Sequence, residues 1–126
     1  MSLVQVDAPE IVRRWLRGVV DGAPVRSQLP DKWVPSDGLQ VVVVGDGTPI
    51  NDRGWTRENV RVTVHGLYEP QVRRAAAEID AALLNRRHVP GVVISPGPGL
   101  IITRDEKLGG FIAAVTTRVA AERKES

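Results

Sequence analysis

The chain contains no cysteine. A disulfide framework, a thiolate nucleophile and a cysteine-ligated metal site are therefore excluded. Histidine is limited to His65 and His88, so a zinc ion would need carboxylates to complete its shell. Only Lys32, Lys107 and Lys124 are lysines; arginine carries most of the positive charge. Aromatic residues number five: Trp15, Trp33, Trp55, Tyr68 and Phe111. Apolar runs such as Val41 to Val44 are far below the roughly 20 residues that span a bilayer.

What remains has globular composition. The 126 residues are 42% hydrophobic and 25% charged, with 17 basic and 15 acidic side chains. A chain of this size buries about two-thirds of its unfolded surface, enough for one core, so residues 1–126 are expected to form one domain. A pI near 9.5 with a net charge of +2 reflects the gap between carboxylate and Lys/Arg pKa values, not a basic patch. The arginine preference fits a GC-rich genome; it also suits bidentate pairing across interfaces. Met1-Ser2-Leu3-Val4 is not followed by a basic segment and a long apolar stretch, so the expectation is cytosolic folding without a signal peptide.

The periodicities predict two helices and several strands. Asp7 and Glu10 make a capping-box-like start, and Ile11, Val12, Trp15, Leu16 and Val19 form one stripe closed by Gly22. Residues 23–38 are proline-broken, with a short edge strand at Val25–Leu29. Leu39–Val44 reads as a strand covered on both faces. Residues 45–56 read as a Gly/Asp/Asn loop before an alternating strand over 57–65. A helix over 70–87 carries the stripe Val72, Ala76, Ile79 and Leu83. Val92–Ile94 and Leu100–Ile102 read as a hairpin around Ser95-Pro96-Gly97-Pro98-Gly99. Phe111–Ala121 is the last strand, and 122–126 a charged tail. The fold class is α+β: a single antiparallel β-sheet packed by two α-helices.

No motif carries catalysis. There is no Gly-x-Ser-x-Gly elbow around a serine. The proline-glycine stretch at 95–99 lacks the lysine and helix start of a phosphate loop. Asp46, Asn51 and Asp52 miss the calcium-loop spacing. The expectation is no enzyme, no catalytic or metal residues and no cofactor. Basic residues look scattered, which argues against nucleic-acid recognition. Trp33 and Trp55 lie in predicted loops, where they either fold over the core or anchor an interface. With Arg53 and Arg57 they make the candidate interface set, centred on the 45–57 loop.

The whole pattern resembles the tail terminator family of long-tailed bacteriophages. The resemblance rests on an N-terminal helix, the valine-rich strand, and Asn59-Val60-Arg61-Val62-Thr63-Val64-His65-Gly66-Leu67-Tyr68 running into helix 70–87. A hairpin, a closing strand after Gly109-Gly110 and the charged tail complete it. It implies a structural virion protein: a homo-oligomer, a hexameric ring, that caps the tail tube. The implied partners are the major tail tube protein and the head connector or head-completion protein, with genomic DNA passing through the lumen and no membrane. The implied location is the virion tail or neck, reached from the host cytoplasm. The alternatives are a neck or head-completion protein, a small α+β enzyme, or a nucleic-acid-binding protein.

Overall fold

The computed structural model describes residues 3–4, 7–47, 49–52, 54–85, 92–96, 100–122 and 124–125. Two twelve-residue strands, β5 (Trp55–Gly66) and β8 (Phe111–Glu122), pair antiparallel along their whole lengths. At about 3.4 Å per residue this central ladder runs roughly 40 Å. Each strand is flanked by two shorter ones. β3 (Gln40–Gly45) and β4 (Ile50–Asp52) line the outer edge of β5. β6 (Val92–Pro96) and β7 (Ile101–Arg104) line the outer edge of β8. β2 (Val25–Arg26) closes the far side, pairing with β3.

The fold is α+β, and the sheet is antiparallel except at one place: β2 runs parallel to β3. The expected hairpin between the two strands of 92–102 is absent. β6 pairs with Thr117–Ala121 and β7 with Phe111–Ala114, so the two are successive halves of one interrupted edge. Pro96, the last residue of β6, has no N–H to donate to a ladder. The hairpin partner of β7 is β8, through the turn at Asp105–Gly110, where Asp105 Oδ1 accepts from the backbone N–H groups of Lys107 and Leu108.

The expected loop over 45–56 is in large part strand: Gly45 ends β3, Ile50–Asp52 is β4 and Trp55 opens β5. β4 folds back on the start of β5, pairing Ile50 with Arg57 and Asp52 with Trp55. Thr56 Oγ1 donates to Asn51 Oδ1 at 2.9 Å across that pair. The charged end of the chain is partly structured too: β1 (Leu3–Val4) pairs antiparallel with β9 (Lys124–Glu125) as a separate two-stranded sheet.

Both helices lie on one face of the large sheet. α1 (Ala8–Leu16) is capped by Asp7, whose Oδ1 accepts from Glu10 N at 3.2 Å. It ends a turn before the apolar stripe does, because Arg17 is extended and Gly18 turns the chain with φ 83°. Glu10 gathers Arg13, Arg14 and Arg17 around its carboxylate, and the hydrogen bond from Arg13 holds its pKa below the ordinary value. Arg13 Nη1 also donates to the Val43 carbonyl at 2.8 Å, tying α1 to β3. α2 (Glu69–Asn85) covers the β8 side with Val72, Ala75, Ala76, Ile79 and Leu83, all buried. Between helices and sheet lie Val41, Val43, Val60, Val62, Val64, Val115 and Val119. Leu16 is buried as its stripe requires, and Trp15 packs against the core while half-buried. Each buried aliphatic side chain contributes about 1.5–3 kcal/mol of transfer free energy.

Candidate interaction face

Because side chains alternate, the valines that face the helices send their neighbours to the other side of the sheet. The register then fixes which residues share that side. One row across the sheet is Ile50, Arg57, Ala120 and Val93. The next is Asn59, Arg118 and Ser95. A third is Val44, Arg61 and Thr116, and a fourth is Val42, Thr63, Ala114 and Ile101. Facing residues within a row stand about 5 Å apart.

Neither α1 nor α2 covers this side. Among the described residues a lid lies over one corner: the segment 27–39, with a short 3-10 turn at Pro35–Asp37. There Trp33 turns inward, 6% exposed, with its ring edge-on to His65 at 6.0 Å between centroids. Its Nε1–H donates to the Gly38 carbonyl at 3.2 Å. Gln40 and Val42 are buried at the same corner, and Arg26 Nε donates to Gln40 Oε1 at 3.1 Å. Thr63 Oγ1 and His65 Nε2 lie 2.9 Å apart. His65 Nδ1 is buried with no hydrogen-bond partner among the described residues. Burial pushes the His65 pKa down, opposed by the charge of Asp105.

Beyond that corner the face is bare. Val44 is 37% exposed, Val93 47%, Ile101 58% and Ile50 64%. Beside them stand Arg57, Arg61 and Arg118, all exposed and in no ion pair among the described residues. Arg57 and Arg118 line a shallow cleft of about 420 Å³ together with Asp46, Glu58, Ile50 and Val93. Three unpaired guanidinium groups can form bidentate hydrogen bonds with carboxylates or phosphates. The aliphatic side chains beside them lose water only against an apolar partner surface.

Of the four residues singled out from the sequence, the structure brings Trp55 and Arg57 to this face. Trp55 opens β5 and is half-buried; Arg57 lines the cleft. Trp33 takes the inward option, and its buried ring offers a partner almost nothing in this chain. Arg53 and His88 lie outside the described residues. Arg61, Arg118, Val44, Ile50, Val93 and Ile101 were not singled out. The alternation of 57–65 already places Arg57, Asn59 and Arg61 opposite the core valines, and that was the available signal.

Among the described residues, no three His, Asp or Glu side chains lie close enough together to hold a metal ion. No described helix is long and apolar enough to cross a membrane. No family model matches the chain, and no curated protein sequence matches it.

Proposed function

We propose that this protein is a structural ring subunit of a phage tail, of the tail terminator kind, which caps the tail tube and joins it to the head connector while DNA passes through the lumen. The observation that carries the reading is the bare sheet face, where exposed Val44, Ile50, Val93 and Ile101 on the outer strands flank central arginines that are in no ion pair among the described residues. Exposed aliphatic side chains gathered on one uncovered sheet face favour a protein–protein interface. Arginine is enriched at such interfaces. The arginines alone suit a phosphate backbone as well, but the valine and isoleucine side chains set among them favour a protein partner.

Purified protein examined by negative-stain electron microscopy should show closed rings. Rings added to tail tubes should bind one end of the tube. Tubes with both ends unoccupied contradict the terminator role.

A further inference from the structure

The hydrogen bonds of the lid over the sheet corner close on the lid itself. The Trp33 backbone N–H donates to the Pro30 carbonyl at 3.2 Å, closing a turn in which Lys32 sits at φ 60°. Val34 N–H donates to Asp37 Oδ2 at 3.0 Å, and Asp37 N–H returns to the Val34 carbonyl at 2.9 Å. The Trp33 indole N–H goes to Gly38, again within the lid. Among the described residues, no hydrogen bond or ion pair runs from residues 28–38 to the rest of the chain. What seats the lid is apolar contact. Trp33 and Pro35 are buried, the first against His65 and the second against Gly110, while Gln28, Asp31, Lys32, Ser36 and Asp37 are exposed. The segment leaves the sheet after Arg26, the end of β2, and returns through Gly38, whose φ of 112° and open surroundings suit a hinge. Lifting it breaks no hydrogen bond and costs only apolar burial.

His65 lies beneath the lid. Its Nε2 is 2.9 Å from Thr63 Oγ1, and its Nδ1 is buried without a partner among the described residues. The imidazolium carries an N–H on both nitrogens, so protonation makes Nδ1 a buried, charged donor with nothing to bond. The register neighbours of His65 are uncharged, Gln40 on β3 and Ile112 on β8, and Gln40 Oε1 already accepts from Arg26 Nε on β2. The charge that favours the proton is Asp105, in the turn before β8, and burial outweighs it. On the lid, Asp31, Lys32 and Asp37 are exposed.

We propose that residues 27–39 are a hinged lid that swings off the sheet as one unit when His65 takes up a proton, letting water reach Nδ1. Opening frees Trp33 and adds Gln40, Val42 and Thr63 to the bare face. The device belongs to the single chain and does not depend on the ring reading.

Fluorine NMR of the full chain labelled with 5-fluorotryptophan tests this, with Trp33→Phe identifying the Trp33 signal among those of Trp15, Trp33 and Trp55. The difference in its shift between H2O and D2O reads solvent access to the ring. It should be small above pH 6.5 and rise to the exposed value as pH falls, with the midpoint of the His65 imidazole titration. Over that range the Trp15 signal and the far-UV circular dichroism should keep their native values. Asp105→Asn keeps the Oδ1 that caps the turn but removes the charge steadying the imidazolium under the closed lid, so opening should move to higher pH. His65→Asn should abolish the transition. A Trp33 ring that stays buried once His65 is protonated overturns the proposal. So does exposure of Trp33 only together with Trp15, which is global unfolding, or an unchanged transition in folded His65→Asn. Ring formation or its absence bears on none of these outcomes.

Discussion

Gly110 lies with its Cα against the carbonyl oxygen of Gly66, so closely that a Cβ at position 110 would overlap that oxygen. The contact joins the turn before β8 to the end of β5, beside the register pair Gly66–Phe111. Gly110 also sits at φ 74°, a region that L side chains avoid. Its neighbour Gly109 has φ 78° but open space where a Cβ would go. Gly110→Ala should therefore cost about 2–4 kcal/mol, combining backbone strain with overpacking. Gly109→Ala should cost about 1 kcal/mol, from strain alone. Urea unfolding of the two variants checks the contrast.

Glu58 is half-buried on the helix side of β5, and burial raises its pKa first, with the nearby charge of Asp7 adding to the effect. A carboxyl whose folded pKa is raised stabilises the protein below its unfolded value of 4.5 and loses that contribution as pH rises through the folded value. At neutral pH the ionised group is a liability. Glu58→Gln should raise the Tm at pH 7 by about 1–3 °C, and the gain should close below pH 4.5. A melting series across pH tests both the gain and its disappearance.

His65 works in the opposite direction. Its folded pKa lies below the ordinary 6.5, because burial disfavours the charged imidazolium, against the opposing charge of Asp105. Its stabilising contribution is complete above pH 6.5 and is lost as pH falls through the folded value. Stability should drop as pH falls from 6.5 through the folded value, and His65→Asn should flatten the drop. Trp33→Ala, which opens the lid, should bring the His65 titration back toward its ordinary value at a cost of about 3–5 kcal/mol. An NMR titration of the imidazole follows this directly.

The central layers were legible because their patterns are local. Val60, Val62 and Val64 alternate cleanly, and Val72, Ala76, Ile79 and Leu83 recur at helical spacing; all are buried. β4 was hidden because Ile50-Asn51-Asp52 is short and polar, and only its pairing with the extended start of β5 makes it a strand. The parallel pairing of β2 and the collinear arrangement of β6 and β7 depend on register between distant segments, which local periodicity does not encode. The same reason kept the bare face out of sight. Arg57 and Arg61 share a strand, but Arg118 joins them only through the β5–β8 register.

The account turns on the bare face being an interface between subunits. Native mass spectrometry of the wild-type chain beside the Arg61→Glu/Arg118→Glu variant tests this most directly. The wild-type protein should appear at six times the 13.7 kDa of one chain. The variant, folded by circular dichroism, should shift to the single-chain mass. A wild-type protein that stays at the single-chain mass, or a variant that keeps the full assembly, would contradict the account.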